Sequence, residues 1–563
     1  LTGLIDGIAI STDARTSMPA PLAIRVDNSD DILVALSGIA PGTKIAADLI
    51  TTEEIPAKQK LAGRDFNPGD DITMYGVTVG MATQPITAGS LIHTGNITHK
   101  SSEYSGKKTE TQWGKPDTSP WHGRTFEGYP RDDGRVGTAN HWIVVPLVFC
   151  ESRNLDMLRT SLGKALGYSK ADAYSSLANA LADGYRQGTG IEDLARLQAD
   201  DPMPATERIF SNVDGIKFLD HGLGCGGTRD DARTLCGLIA GYINHPNVAG
   251  ATVLSLGCQN AQVKLLEEEI QKRAPNFSKP LLIFEQQGYP SEREMLNRAI
   301  TETFVGMAGA NEMQRVASPL SKLCAGMECG GSDGFSGISA NPVIGHCADL
   351  LVSMGGSVIL SEFPELCGVE QDLCDRCETA ELATRFAGLM KSYNARAEAH
   401  GSGFRENPSP GNIRDGLVTD AIKSAGAAKK GGRSPVVDVL DYPEPVAKPG
   451  LSLLCTPGSD VESTTAMAGS GANILLFSTG LGTPTGNPVA PTLKISSSTE
   501  LHTRLPDMID FDAGAIIRGE TSIDELGSRL LERVIETASG RFVPNAVHLG
   551  QDDFLPWKRG VSL

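Results

Sequence analysis

Between Ile97 and Phe126 the chain exchanges one residue pattern for another, and the two patterns call for different folds. Before the change, short apolar segments (Ala23 to Val26, Asp31 to Leu36, Asp71 to Gly76, Val77 to Gly80) are separated by Pro41-Gly42, Asn67-Pro-Gly69 and Ala88-Gly89. That turn chemistry predicts a small all-β module over 1–99. After it, apolar strand-like runs (His141 to Val148, Ala251 to Leu256, Leu281 to Phe284, Ser357 to Leu360) alternate with helix-length stretches (Leu155 to Leu166, Ala171 to Tyr185, Val263 to Arg273, Ser291 to Met307, Glu370 to Ala399). Such alternation predicts α/β domains with mainly parallel sheets. Residues 100–125 are polar and carry Pro116 and Pro120, which suits a linker or an extended crossing arm. A second seam near Lys429 to Arg433 divides the remainder into a central α/β domain, 126–434, and a C-terminal one, 435–563. The latter contains the strand candidates Pro435 to Leu440, Leu451 to Cys455 and Asn473 to Phe477. It ends in a helix whose S-x-x-E start is Ser522 and Glu525, with Leu526, Leu530 and Val534 on one face.

Composition narrows the function. Lys plus Arg number 50 against 68 Asp plus Glu, a formal net charge of −18, which disfavours nucleic acid and anionic lipid as partners. The longest apolar runs, such as Trp142 to Phe149 with Pro146 inside it, are far shorter than the about 20 residues that cross a bilayer. No basic segment followed by an apolar stretch opens the sequence, so a cytoplasmic location is the default expectation. The 11 cysteines are sparse and odd in number, more in keeping with thiols, thiolate ligands or core residues than with a disulfide scaffold. The 63 glycines gather in short motifs rather than in repeats.

Three of those motifs hold a cysteine beside glycine: Asp220 to Gly227 (DHGLGCGG), Ser255 to Gln259 (SLGCQ) and Met327 to Gly337 (MECGGSDGFSG). Glycine lets backbone approach a ligand closely, and thiolate is a strong ligand for iron and zinc, so Cys225, Cys258 and Cys329 are candidates to converge on a metal. The alternative is that these cysteines are buried and the glycines make turns. Cys374 and Cys377 form the C-x-x-C of the chain, in a charged helical run without a partner pair, and read as structural. Gly480 to Gly486 (GLGTPTG) follows a strong strand and either cradles an anion on its backbone N–H groups or is a plain turn. His221 and His93 are candidate functional histidines; His245, His400 and His502 look like packing or surface residues.

In this order the motifs resemble the altronate dehydratase and galactarate dehydratase family. Tyr75-Gly76, Val79-Gly80 and Ile92 to Asn96 (IHTGN) resemble its SAF-type β-clip module, and Phe126 to Tyr129 with Arg131 to Thr138 resemble the entry to its catalytic region. Gly330 to Pro342, Asn407 to Asn412, Thr456 to Asp460, Phe477 to Gly480 and Gly482 to Pro484 continue the series to near the end of the chain. The resemblance implies an N-terminal SAF-like β-clip module followed by two α/β domains. It also implies iron-dependent removal of water from an aldonic or aldaric acid, by way of an enol, to a 2-keto-3-deoxy acid. A Lewis-acid metal would stabilise the enolate-like charge and the departing oxygen, and a positioned base would take the proton. The resemblance further implies iron on Cys225, Cys258 and Cys329, as a [4Fe-4S]-type cluster with one open position or as mononuclear Fe(II). His221 is the leading base, equally a metal ligand, with Asp333 and Glu362 as runners-up. Ser332, Ser336, Ser339, Asn341, Thr479 and Thr483 are candidates for substrate hydroxyls or carboxylates, joined by His93 and Asn96 if the β-clip module closes over the site. Their other use is turn and helix capping.

Several cationic positions depart from the family pattern. Lys58-Gln59-Lys60 stands for Gly-His-Lys, Ala139 and Leu481 replace basic residues, and Ile413 replaces lysine. Fewer cations imply a substrate with fewer or different carboxylates. The expected partner is a small hydroxy acid, with a homo-oligomer compatible with the chain. Rival expectations are another β-elimination, such as a sulfo-lyase acting on a sulfonated hydroxy acid, and a non-catalytic sugar-acid-binding paralogue.

Overall fold

The computed structural model describes residues 21–46, 48–168, 173–199 and 207–563. Short strands, β1 (Ala23–Ile24), β2 (Ile32–Ala35), β3 (Lys44–Ala46), β4 (Leu49–Ile50), β5 (Lys60–Ala62), β6 (Asp71–Met74), β7 (Val77–Ala82), β8 (Leu91–Ile92) and β9 (Ile97–Thr98), form antiparallel sheets in the orders β1-β2-β5-β8 and β6-β7-β9, with β3 paired to β4. In β2 (Ile32–Ala35) the two-residue period sends alternate side chains to two cores. Leu33 and Ala35 join Ile39, Ile55 and Leu61 inside the module, whereas Ile32 and Val34 join the large core of the rest of the chain. The module is therefore welded to its neighbour. The segment after it is pinned rather than free. Lys107 Nζ donates to the Asp375 and Cys377 carbonyls at 3.1 and 2.7 Å, and the Lys108 and Thr109 amides donate to Asp375 Oδ1.

Beyond the arm, β10 (Thr125–Pro130) pairs antiparallel with β11 (Val136–Gly137) and with β16 (Val316–Pro319). Between them lies a parallel sheet of β12 (His141–Pro146), β13 (Gly215–Phe218), β14 (Val248–Ser255) and β15 (Leu281–Glu285), in the order β13-β12-β14-β15. A second parallel sheet has seven strands: β17 (Cys324–Cys329), β18 (Ser357–Leu360), β19 (Val436–Leu440), β20 (Gly450–Leu454), β21 (Ile474–Thr479), β22 (Thr492–Ser496) and β23 (Phe511–Asp512). Their order is β19-β20-β18-β17-β21-β22-β23. Every residue of β12, β14, β20, β21 and β22 is buried, the near-continuous apolar signature of parallel strands covered on both faces.

The second sheet corrects the expected division of the catalytic region. β17 and β18 come from the expected central domain and β19 to β23 from the expected C-terminal one, yet all hydrogen-bond in one sheet, so no domain boundary falls at 434/435. The change of sheet comes between β15 and β17. Gly-Gly and Lys-Lys at the supposed seam mimic a solvated linker, but Lys430 is 1% exposed. The single helix expected over Glu370 to Ala399 is two, Glu370–Arg376 and Ala380–Ala399, because Thr379 accepts from the Leu382 amide and starts a new helix. Cys374 and Cys377 beside that break are both buried, in keeping with their structural reading. The last long helix, Ile523–Ala538, begins where expected, with Ser522 Oγ accepting from the Glu525 amide at 3.1 Å. Among the described residues no helix is long and apolar enough to cross a membrane.

Candidate active site

From β17 the chain builds the seven-stranded sheet first to one side, through β18, then to the other, through β21. Loops leaving the carboxyl ends of strands on either side of such a reversal diverge and open a crevice. Four loops meet there: Gly330–Ile338 after β17, Ser361–Leu366 after β18, Cys455–Asp460 after β20, and Gly480–Gly486 after β21. The first and last are stitched by Gly330 N to Ser478 O and Gly480 N to Gly331 O, both 3.0 Å.

These loops bury an acid–lysine network. Cys329 Sγ, at the end of β17, lies 2.8 Å from Lys430 Nζ and 3.3 Å from Glu365 Oε2. Lys430 Nζ also contacts Glu362 Oε2, while Lys423 Nζ meets Glu365 Oε1 and Asn407 Oδ1, each at 2.6 Å. Glu328, Glu362 and Asp460 bring carboxylate oxygens within 4.8 Å of one another. Burial alone would push the Lys430 ammonium down, but the surrounding Cys329, Glu362, Glu328 and Glu365 outweigh it and hold its pKa well above the ordinary value. Burial, reinforced by Glu362, raises Glu328 well above the carboxylate range, so the buried Glu328–Glu362 pair holds a proton. Asp460, at the rim, is pushed up to about 7 by burial and then by Glu362 and Glu365. Oε1 of Glu328 and Oε1 of Glu362 have no hydrogen-bond partner. Gly330 is required here, since a Cβ at that position would overlap Asp460 Oδ2.

Backbone strain points to the same place. Among the described residues three non-glycine residues have positive φ: Lys58 (74°), Tyr75 (58°) and Glu362 (63°). Side chains rarely tolerate that region, and such outliers persist where surrounding structure imposes them, commonly at functional sites. All three border the crevice. Lys58 Nζ lies 2.9 Å from Asp333 Oδ2, and a Cβ at Gly337 would overlap the Tyr75 hydroxyl. Lys60, fully buried next to Lys58, donates to Gly416 O at 2.6 Å, and its pKa is lowered to about 7 by burial.

Comparison with known proteins gives this crevice a family. Residues 21–100 match the altronate/galactarate dehydratase SAF domain, 128–311 the second domain of D-galactarate dehydratase/altronate hydrolase, and 320–562 the D-galactarate/altronate dehydratase C-terminal domain. An altronate dehydratase of Bacillus subtilis is 32% identical over 96% of this chain and 99% of its own length; one of Escherichia coli is 30% identical over the same shares. The chain belongs to the altronate/galactarate dehydratase family. With dehydratases aligned along nearly all of it, the protein is an enzyme of the carbon–oxygen lyase class. The beta subunit of a (2R)-sulfolactate sulfo-lyase from Chromohalobacter salexigens is also similar, 30% identical over 77% of this chain and 97% of that subunit. The family's domain limits agree with the sheets: the second and third domains meet between 311 and 320, not near 434.

The sequence candidates fare unequally. Glu362 and Cys329 are in the network. Asp333 borders it, but both oxygens are filled: Oδ1 accepts from the Phe335 and Ser336 amides and Ser336 Oγ, and Oδ2 meets Lys58 and Ser497. It anchors the loop and has no free lone pair aimed at a substrate. His221 is corrected likewise. Its Nε2 bonds to Pro146 O at 2.7 Å, its Nδ1 accepts from Leu223 N, and burial lowers its pKa, so the ring clamps two loops as a neutral imidazole and leaves no nitrogen for a base or a metal ligand. Ser336, Ser339 and Asn341 are spent internally, on Asp333, on the Phe335 and Ser497 carbonyls, and on Gly426 O and Ser478 Oγ respectively. Thr479 Oγ1 accepts from the amides of Leu481, Gly482 and Thr483, so the N–H cradle expected for an anion is filled by the chain's own hydroxyl and the motif is a turn. Thr483 stands beside Gly331 at the mouth. Ser332, buried with an unpartnered Oγ, remains a substrate candidate. His93 is exposed and Asn96 bonds back to its own turn, so the β-clip module reaches the crevice through Lys58, Lys60 and Tyr75 instead.

Cys329 does not join Cys225 and Cys258. Cys225 and Cys258 follow β13 and β14, on either side of β12, and the residue that joins them is Cys150, just past β12. Phe149 N donates to Leu223 O and both Asn260 N and Ala261 N to Gly224 O, which stitches the three loops. Gly224, at φ 101°, sits where any Cβ would overlap Leu147 O. Cys150, Cys225 and Cys258 are the exposed cysteines of the chain, and burial followed by the other two thiols raises Cys150. One signal of Cys150 was present in the sequence: like the other two, it follows an apolar strand. Glu328 stood in the Met327 to Gly337 motif only as a neighbour of Cys329, and Lys423, Lys430 and Glu365 carried no signal, because a charged residue in a mixed sequence reads as solvated surface.

Proposed function

We propose that this protein is a hydro-lyase that removes water from a sugar acid, an altronate- or galactarate-like aldonate or aldarate, to give a 2-keto-3-deoxy acid. The observation that carries this reading is the buried carboxyl–lysine network at the strand-order reversal, in a chain aligned over 96% of its length with dehydratases. In this reading Glu362, whose Oε1 is unpartnered, takes the proton beside the substrate carboxylate. Asp460, near neutrality in pKa, gives its proton to the departing hydroxyl. Lys430 and Lys423 hold the excess negative charge that develops on the enolate, and Ser332 Oγ is free to bond a substrate hydroxyl.

The family resemblance implies iron, expected on Cys225, Cys258 and Cys329, and the structure divides these three between two donor sets. Cys329 with Glu362 and Glu365 fits poorly, because Lys430 and Lys423 already place positive charge among the same donors. The thiols of Cys150, Cys225 and Cys258 fit better. They are exposed and free, and three thiolates suit an iron–sulfur cluster with one iron left open. Bound there, iron would supply Lewis-acid chemistry at the carboxyl ends of β12, β13 and β14. Anaerobically purified protein is expected to contain iron and acid-labile sulfide, with Cys150→Ser losing both and Cys329→Ser retaining them; the reverse pattern would return iron to the buried set.

The test of the reaction is incubation with a panel of aldonates, aldarates and sulfolactate, scored for 2-keto acid against sulfite. Sulfite without 2-keto-3-deoxy acid would favour the sulfo-lyase alternative, which the similarity to the sulfo-lyase subunit keeps in play. The cationic departures also sort by position. Ala139 is buried before β12, at the amino ends of the strands, so a base there would not reach this crevice. Leu481 is 43% exposed beside Gly331 at the mouth, and Gln59 Nε2 bonds to Arg414 O nearby. Leu481→Arg is expected to raise kcat/KM for a diacid over a monoacid by roughly tenfold or more, the scale of a charge-assisted hydrogen bond. An unchanged ratio would remove Leu481 as a specificity position.

A further inference from the structure

A second cluster of donor atoms lies behind the network, outside the residues assigned above. His99 follows β9 (Ile97–Thr98), Cys367 follows the short helical turn Phe363–Leu366, and Asp420 begins the helix Asp420–Ala427. One ligand atom from each, an imidazole nitrogen, a thiol sulfur and a carboxylate oxygen, all lie within 4.8 Å of one another. A plain histidine–aspartate ion pair accounts for them badly. His99 Nδ1 is packed against Asp420 Oδ1, yet Nδ1 makes no hydrogen bond of acceptable direction, and Asp420 Oδ2 has no partner although the carboxyl is fully buried. The Cys367 thiol is set between the Asp420 and Glu370 carboxyls. Glu370, 4% exposed, lies on the other side of that thiol, with Oε2 held by the Gly368 amide at 2.7 Å. Among these side chains there is no lysine or arginine, unlike the set around Cys329.

One nitrogen, one sulfur and one carboxylate oxygen from three separate segments are a donor set that suits a borderline divalent ion. We propose that His99, Cys367 and Asp420 bind a single Zn²⁺ or Fe²⁺ that fastens the β-clip module to the active-site loops. The connection is direct. The turn that ends at Cys367 carries Glu365, and the helix that starts at Asp420 carries Lys423, the ion pair at the edge of the catalytic network. His99 is the last residue of the β-clip module before the arm. The ion would hold in register three elements that also meet through the Glu365–Lys423 ion pair and through hydrogen bonds such as Thr419 Oγ1 to Val79 O at 2.9 Å. This site is independent of the dehydratase reading.

The experiment uses cobalt(II) as the probe, in full-length protein carrying Cys150→Ser, Cys225→Ser and Cys258→Ser so that the exposed thiols do not compete. After chelation and desalting under argon, cobalt titration is expected to give thiolate-to-cobalt charge-transfer absorption that saturates at one equivalent. Adding Cys367→Ser should abolish that absorption. Asp420→Asn should retain it with affinity weakened ~10-fold or more, since a direct ligand matters at least as much as the outer-shell partners whose loss costs that much. Near-ultraviolet circular dichroism on each variant separates loss of a ligand from loss of fold. Absence of the absorption in the triple-serine protein, or its persistence after Cys367→Ser, would overturn the site. Failure of the wild-type protein to dehydrate any hydroxy acid, with the cobalt signal of the triple-serine protein intact, would remove the proposed reaction and leave the site standing.

Discussion

Glu362→Gln is expected to lower kcat by about 10²- to 10⁴-fold, the usual contribution of a positioned general base, while leaving the fold in place. The amide is nearly isosteric, it still offers Lys430 an acceptor, and it removes only the lone pair that takes the proton. The backbone favours a functional reading of this residue: Glu362 adopts φ 63° with its amide held by Thr456 Oγ1 at 2.8 Å, a conformation that costs on the order of 1–3 kcal/mol and that no packing need of a glutamate explains. The pH profile supplies the control. Burial, with Glu362 and Glu365 nearby, raises Asp460 to about 7, so if its protonated form protonates the leaving hydroxyl, wild-type kcat falls as pH rises through about 7. Asp460→Asn should lower the rate and abolish that limb. A Glu362→Gln enzyme with kcat within threefold of wild type would remove the residue from the chemistry.

How far the sequence led depended on whether a residue's role was local. The fold class was readable because strand and helix periodicities and turn residues act within a few positions. The expected helix Val263–Arg273 agrees residue for residue, and the Ser522 cap is where its motif puts it. The order of strands in a sheet is not local. The seam near Lys430 therefore looked like a linker although β17 and β18 pair in one sheet with β19 to β23. The same distinction explains the site. Cys225 and Cys258 were found because glycine after an apolar strand marks a loop at a sheet's carboxyl end, and Cys329 was grouped with them on the same mark although its strand belongs to the other sheet. His221 had the right loop, but both ring nitrogens are consumed by backbone that only the fold brings near. Lys58 was noted only as part of a departure from a family motif, yet it brings the β-clip module's positive charge to Asp333. An overall −18 chain thus gathers Lys58, Lys60, Lys423 and Lys430 about one crevice, where Asp333, Glu365 and Glu362 pair with three of them.

Lys430→Met is expected to cost about 3–5 kcal/mol of stability, the range for removing one partner of a buried ion pair, because it leaves Glu362 and Cys329 facing an apolar side chain. Against a typical total of about 5–15 kcal/mol, that loss should appear as a clear fall in the urea midpoint with an unchanged slope. The wild-type pair stabilises the protein throughout the neutral range: Lys430 is raised above its ordinary value, so its contribution is present below the unfolded lysine pKa and is lost only as pH rises through the still higher folded one. In the variant the burden passes to Glu362. Burial already raises this carboxyl, so without the ammonium its protonated form is favoured further, and a carboxyl with a raised folded pKa stabilises most below its unfolded pKa and loses that contribution as pH rises. The deficit of Lys430→Met should therefore be smaller at acid pH than at neutral pH, and adding Glu362→Gln should recover part of it at neutral pH by removing the stranded charge. Equal deficits at both pH values, with no recovery in the double variant, would mean that Lys430 acts by packing its aliphatic stem rather than by neutralising the carboxylates around it.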